Sequence, residues 1–465
     1  MFTSLLLATA SLAAPASSTV DSAGTDMSNP LFGAQGELLG SSDNIEAAVG
    51  GTFANPFIPI DVRPVQRDVF EITLHNTGTG WDEQFLLAVP ANRTAQAPLL
   101  VAFHAYSSSP YSVLNQTDYL EKARARGWWA IAPLGAHQVN YGIDYALENI
   151  NIAIEWVMNR ANIDPDRIYG IGFSMGGGTA AALAAHNLDP NSPRFAALVN
   201  HTGTTSVRDV YNNNPNNSNP DSLFNNPQLF GGSPDEVPFR YANASAIDYD
   251  RFTDTIDQGN DLARNLSHMP VLQWAVGSDP LNHLVTQTER LDEQLTERGG
   301  DNTLLIGNGS EHAWDTLSER QVLNFLEGQV RQDPSFGTRT RTLVPEDGTY
   351  WYFDIDQRTE NQFARFDWRI LPGLNRIFLE RVSNIEHMSF DPIEAGMQGD
   401  ADLQVILQAT ESDSIIIEVA GFEAPPVSVT RDSVTTLSWE WDPVRRCITL
   451  LETDPSAYRS WIIER

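Results

Sequence analysis

The stretch that most constrains this chain is NIDPDRIYGIGFSMGGGTAAALAA, residues 162–185. It reads as a turn, a short buried strand (Ile168, Tyr169, Ile171), a sharp turn, and a helix of small residues over 179–185. The sharp turn is Gly172-Phe173-Ser174-Met175-Gly176, a G-x-S-x-G elbow. A nucleophile at a strand-to-helix turn sits in strained backbone, so its neighbours must lack a Cβ that would clash. Ser174 is then raised above the sheet edge, and the Met175 N–H lies at a helix N-terminus, where unpaired donors favour negative charge.

The flanking sequence supplies a sheet for such an elbow. Pro98-Leu99-Leu100-Val101-Ala102-Phe103 is an unbroken apolar run, the mark of a strand buried on both faces. Strand-like and helix-like segments then alternate to about residue 326, with Ile143, Leu147, Ile150, Ile154 and Val157 marking one face of a long helix. Alternation of this kind predicts a mostly parallel sheet flanked by helices. Residues 206–268 break the rhythm and read as a cap inserted over the strand ends.

A serine needs an adjacent base, and the base needs a group to orient it. In a parallel sheet these converge from loops at the carboxyl ends of strands. Gly277-Ser278-Asp279 follows the strand that ends at Val276, and the 307–312 loop carrying His312 follows the strand that ends at Ile306. The set is therefore Ser174, Asp279 and His312, in that chain order. Asp279 also reads as a helix cap before Pro280, and Glu311 and Asp315 are alternative acids. His283 falls at the start of the next helix and His387 in the C-terminal region, which leaves His312 as the base. The oxyanion donors are the N–H groups of Met175 and Tyr106, with Ala105 as neighbour to the latter; Tyr106 and Phe173 are the expected substrate contacts. His104 lacks companions at ligand spacing, so neither metal nor cofactor is expected.

Composition narrows the partners and the compartment. Sixty acidic against 29 basic residues give a net charge of -31, which disfavours nucleic acid and anionic membrane surfaces. Lys122 is the only lysine; an acidic, lysine-poor surface suits either high salt or an ordinary acidic secreted protein. Cys447 stands alone, so no internal disulfide can form. No apolar run is long enough to span a membrane. Residues 1–16 are similar to a secretory leader, which predicts a secreted or periplasmic protein, and 17–65 read as a tail or linker.

Past residue 333 the hydrophobic period changes to two, as in Phe366, Trp368 and Ile370 alternating with Arg365, Asp367 and Arg369. An antiparallel, sandwich-like β domain over 333–465 follows, behind a catalytic domain over 66–332. It holds Trp351, Trp368, Trp439, Trp441 and Trp461, which serve either as core or as a stacking face for a polymer.

With these residues assembled, the region from about 66 to 330 resembles the α/β-hydrolase superfamily. The run from Asn162 to Ile168 leading into Gly-Phe-Ser-Met-Gly-Gly-Gly looks like the dienelactone hydrolase and prolyl oligopeptidase-like branch, as does Leu229-Phe230-Gly231-Gly232-Ser233-Pro234. Tyr106 with Ser174-Met175-Gly176-Gly177-Gly178 is similar to bacterial cutinases and polyester hydrolases, a resemblance that implies Tyr106 as an aromatic substrate wall. Against that group, the loop after Val199 reads Asn200-His201-Thr202-Gly203, without their tryptophan, and their C-terminal disulfide is impossible. The expected activity is hydrolysis of small or polymeric carboxylic esters through an acyl-enzyme. Peptide cleavage by the same chemistry, a polyester or cutin substrate, and a polymer-binding protein with a degenerate hydrolase fold are the alternatives.

Overall fold

The computed structural model describes residues 59–92, 95–214 and 222–465. The leader expected at 1–16 and the tail up to residue 58 lie outside the described residues. The linker reading fails at its C-terminal end, where β1 (Pro59–Gln66) already pairs antiparallel with β2 (Val69–His75). Its residues Val62 and Val65 pack against the core, so the stretch earns sheet pairing that its polar composition hid.

The first domain continues with β3 (Asp82–Ala88), β4 (Ala97–Phe103), α1 (Pro110–Gln116), α2 (Tyr119–Ala125), β5 (Trp129–Pro133) and α3 (Asp144–Met158). Next come β6 (Ile163–Phe173), α4 (Met175–His186) and β7 (Ala197–His201). The cap segment holds α5 (Val207–Asn213), α6 (Pro238–Asn243), a hairpin of β8 (Tyr249–Asp250) and β9 (Thr255–Ile256), and α7 (Ala263–Leu266). The sheet closes with β10 (Val271–Val276), α8 (Asn282–Glu297), β11 (Asn302–Gly307) and α9 (Glu319–Glu327). Two boundaries differ from the sequence reading. β6 begins at Ile163, inside the expected turn, and the alternation expected to run to about residue 326 ends in a 3-10 turn (Trp314–Thr316) followed by α9.

The nine strands run in the order β1-β2-β3-β5-β4-β6-β7-β10-β11. Strands β1, β2 and β3 pair antiparallel, and β3 also runs antiparallel to β5; the pairs from β5 onward are parallel. All seven residues of β4 are buried, which is why that segment tolerates an unbroken apolar run. One face packs Ile150, Ile154, Leu183, Leu266 and Leu295 from α3, α4, α7 and α8. The other packs Val113, Leu120, Val322 and Leu326 from α1, α2 and α9. At about 1.5–3 kcal/mol for each fully buried large side chain, these two layers are the main support of the sheet.

Residues 340–464 form a seven-stranded sheet and a six-stranded sheet that share one core, so the sandwich is as expected. The strands are not all antiparallel, however. Arg376–Ser383 runs parallel to Leu403–Ala409, and Ile385–Phe390 runs parallel to Ile415–Val419. The two strands joined at Asn384 lie in different sheets, and each gains a parallel neighbour from later in the chain. The tryptophans belong to the core. Trp351, Trp368 and Trp461 are buried, and Trp439 and Trp441 pack half-buried against the same cluster.

The domains meet through apolar contacts, with Leu343 in the first core, Leu188 in the second and the Phe239 and Phe363 rings 5.0 Å apart, and through polar ones. The Asn265 Nδ2 donates to Ala185 O at 2.9 Å and Leu343 O at 2.8 Å, while its Oδ1 accepts from Leu343 N at 2.9 Å. Arg194, 2 % exposed, pairs with Asp333 and lies 5.1 Å from the Trp351 ring.

Candidate active site

Ser174 stands between β6 and α4 with φ 55° and ψ -124°, a conformation costly for a residue with a Cβ. The backbone around it is crowded. A Cβ on Gly172 would lie 2.0 Å from Gly176 O, and one on Gly176 would lie 2.3 Å from Phe103 O. Only glycine lets α4 leave the sheet at this angle. The Ser174 N–H donates to His201 O at 3.0 Å, and the Ser174 carbonyl accepts from Gly177 N and Thr204 N, both at 3.0 Å. The strained turn is thus held from both sides. The sheet order, with a strand-elbow-helix at its centre, decides the architecture. The first domain has the α/β-hydrolase fold. Its elbow lies at the carboxyl edge of the sheet, where ligands of open α/β sheets bind.

Asp279 and His312 reach that same edge from the loops after β10 and β11. The His312 Nδ1 lies 2.8 Å from Asp279 Oδ2, and Asp279 is 4 % exposed. The second oxygen, Oδ1, accepts from Leu281 N at 2.8 Å. The cap reading and the orienting reading of Asp279 therefore hold together, one on each oxygen. This contact suits the neutral imidazole tautomer with its proton on Nδ1, facing an accepting carboxylate oxygen, and its lone pair on Nε2. That Nε2 is buried and meets no hydrogen-bond partner among the described residues. The Ser174–His312 hydrogen bond is accordingly not closed in this structure, whereas Asp279 and His312 are joined. Glu311 and Asp315 make no hydrogen bond to His312.

The ring of Phe173 lies 4.5 Å from the His312 ring and 4.8 Å from the His201 ring, centroid to centroid. The Phe173 ring thus packs between the rings of His312 and His201. His201 was invisible as a site residue. It is fully buried at the end of β7, and its Nε2 lies 2.9 Å from Thr316 Oγ1. Thr316 Oγ1 donates to Ala313 O at 2.9 Å, so His201 is the donor and braces the loop that carries His312. Burial, reinforced by His312, pulls His201 down to about 3, which keeps it neutral. Position alone could have raised it, since it ends a strand next to the elbow strand.

Met175 is the first residue of α4, where a backbone N–H has no partner within the helix. Across from it, the 104–107 loop follows β4. Ser107, at φ 52°, donates its N–H to Gln138 O at 2.9 Å, which fixes the loop directly after Tyr106. His104 is 2 % exposed, with Nδ1 2.8 Å from Ala105 O and Nε2 2.9 Å from Leu134 O. Burial lowers its pKa, so the neutral ring donates to one of these carbonyls. Both contacts are internal to the protein. Among the described residues, no cluster of three or more His, Cys, Asp or Glu side chains could hold a metal.

Tyr106 lies 5.7 Å from Tyr141, ring to ring, and packs against an apolar cluster that includes Met175, Phe224, Phe230 and Tyr241. The cap segment therefore builds an aromatic wall beside the 104–107 loop. His283, at the start of α8, is lowered to about 4 by burial, then by Arg251 and His312 against the opposing pull of Asp279.

No family model and no curated protein matches the chain. Solved structures do. A thermostable esterase is 16 % identical over 57 % of this chain and 64 % of its own, with a TM-score of 0.38. The chain thus spans less than two thirds of that esterase. An S-formylglutathione hydrolase from Agrobacterium tumefaciens is 13 % identical over 58 % of this chain and 95 % of its own, with a TM-score of 0.40. An acylaminoacyl peptidase from Pyrococcus horikoshii is 13 % identical over 65 % of this chain and 46 % of its own, with a TM-score of 0.40. The sheet order and the elbow, not these likenesses, carry the fold assignment.

Proposed function

We propose that this chain is a serine hydrolase that cleaves carboxylic esters through an acyl-enzyme. The observation that carries the reading is the Asp279–His312 hydrogen bond beside a strained Ser174 elbow. In this reading, Ser174 Oγ attacks the acyl carbon as His312 Nε2 takes its proton. Asp279 holds the imidazole tautomer that leaves Nε2 free and stabilises the imidazolium once formed. The N–H groups of Met175 and Tyr106 receive the tetrahedral oxyanion; one such donor is worth about 3–4 kcal/mol. Collapse expels the alcohol with the proton from His312, and water activated by the same nitrogen releases the acid. Tyr106 and the aromatic wall behind it form one side of the substrate site. The leader reading of residues 1–16 makes the enzyme a secreted or periplasmic one, and N-terminal sequencing of the secreted protein tests it.

The test of the function is turnover of short-chain p-nitrophenyl esters and of peptide p-nitroanilides by wild type and Ser174→Ala. Ester hydrolysis lost in the variant with folding retained supports the reading. Cleavage of anilides alone would replace it with a peptidase, and equal turnover by both proteins would remove Ser174 from the mechanism.

A further inference from the structure

Glu83 is a fully buried carboxylate that the chemistry above leaves unused. It lies on β3 on the same face as Phe85 and Leu87, which enter the core. Its Oε1 accepts from Leu134 N at 2.8 Å and Gly135 N at 3.1 Å, and its Oε2 accepts from Ala136 N at 2.9 Å. Three successive N–H groups converge because Gly135 and Ala136 both take φ 65°. Consecutive backbone donors of this kind form an anion-binding nest.

The segment held by this nest touches both sides of the elbow. Leu134 O faces His104 Nε2 at 2.9 Å, and Gln138 O accepts the Ser107 N–H at 2.9 Å. Asn140 Oδ1 accepts from Thr179 Oγ1 of α4 at 3.0 Å, and Asn140 Nδ2 donates to Leu134 O at 2.9 Å. Tyr141, at the end of the segment, packs on Tyr106. The oxyanion loop and the elbow helix thus meet one segment, and the Glu83 carboxylate gathers the three N–H groups at the start of that segment, beside Gln84 O, which also accepts from Leu134 N at 3.0 Å.

We propose that Glu83 is a positioning residue for the oxyanion hole: its ionised carboxylate fixes the 134–141 segment, which sets the Tyr106 N–H against the Met175 N–H. The inference rests on the serine hydrolase reading. Protonation converts an acceptor that faces a backbone donor into a donor, so the nest loosens when Glu83 is neutral. Burial pushes the Glu83 carboxyl up from 4.5 to about 7, against the opposing N–H groups of Ala136, Gly135 and Leu134 and the side chain of Asn149. The change therefore falls at working pH. His104 and His137, from the two loops, are both lowered by burial, His137 to about 4 with His104 adding to the shift. Tyr145 of α3 is raised by burial, and β2 sets Leu74 opposite. Glu148 of α3 is turned to Asn76, and the exposed His75–Asp82 pair lies beyond.

A raised carboxyl pKa has opposite consequences for stability and for rate. The stabilising contribution is full below the ordinary pKa of 4.5 and is lost as pH rises through about 7, because ionisation is disfavoured in the fold. The oxyanion hole, in contrast, is set only above about 7.

The experiment compares kcat, KM and Tm of wild type, Glu83→Gln, Glu83→Asp and Ser174→Ala from pH 5.5 to 9. In Glu83→Gln, kcat is expected to fall about tenfold to a hundredfold above pH 8 with KM little changed, the scale of a misplaced transition-state donor. Below pH 6 the two enzymes converge, since a neutral acid and an amide are alike, and the fall in Tm with rising pH is smaller in the variant. Glu83→Asp keeps the charge but withdraws it, and it loses kcat with KM unchanged even if the glutamine variant does not fold. A wild-type-to-Gln ratio that is constant with pH, or wild-type kcat in Glu83→Asp, overturns the proposal while leaving the hydrolase reading intact. Undiminished turnover in Ser174→Ala overturns both.

Discussion

At the scale of single residues, Asp279 divides its two oxygens between Leu281 N and His312 Nδ1, and the proposed role of each can be tested. In Asp279→Asn the amide oxygen can still accept from Leu281 N, so stability should change by no more than about 1 kcal/mol. The amide nitrogen then faces His312 Nδ1, where a donor meets a donor, and the imidazole turns to the wrong tautomer. We expect kcat to fall about ten-thousandfold. A loss below tenfold would mean that another acid orients His312. Ser174, Asp279 and His312 were legible because strand ends restrict where they can stand, and chain order selects among few histidines. Glu83 was passed over although it interrupts an inward-facing alternation with Phe85 and Leu87, the one local sign that it is buried. His201 gave no sign beyond its position, since its role depends on Thr316, more than a hundred residues away.

At the scale of elements, the elbow is first a steric solution, whatever chemistry it is proposed to carry. Gly176→Ala would force a Cβ against the Phe103 and His104 carbonyl oxygens, at 2.3 and 2.5 Å, and backbone cannot yield as a side chain does. Urea denaturation should show a loss of about 3 kcal/mol or outright failure to fold; an unchanged midpoint would contradict the packing described. A continuous apolar run revealed β4, because burial on both faces leaves little room for polar residues. The cap segment was unreadable for the opposite reason: its helices are short and hold together through Phe224, Phe230 and Tyr241 rather than through a period. The parallel pairs in the C-terminal sandwich were hidden too, since alternation states which face is buried but not the direction of the neighbouring strand.

At the scale of the whole molecule, the two domains are docked by contacts that leave little slack. Asn265→Ala would strip partners from Ala185 O and from both backbone groups of Leu343, a cost of about 2–4 kcal/mol. Calorimetry should then resolve two transitions in place of one; a single, unshifted transition would show that the interface does not rest on this side chain. The same interface carries a cleft of about 280 Å³ lined by Asp144, Glu148 and Asp189 from one domain and by Glu346 and Asp347 from the other. Burial, then Asp144, Glu148 and Asp347, raises the Glu346 pKa, so like charges face each other across the seam. Raising NaCl from 0.1 to 1 M shortens the screening length from about 10 to about 3 Å and should raise Tm in a chain of net charge -31. A Tm that falls with salt would contradict that reading of the acidic surface. The central claim is that Ser174 is the acylated nucleophile. Its most direct test is intact-protein mass spectrometry after treatment with a fluorophosphonate, followed by peptide mapping. The account predicts one adduct per chain, on Ser174, absent from Ser174→Ala and slowed in Asp279→Asn. Labelling on another residue, or equal labelling of Ser174→Ala, would contradict it.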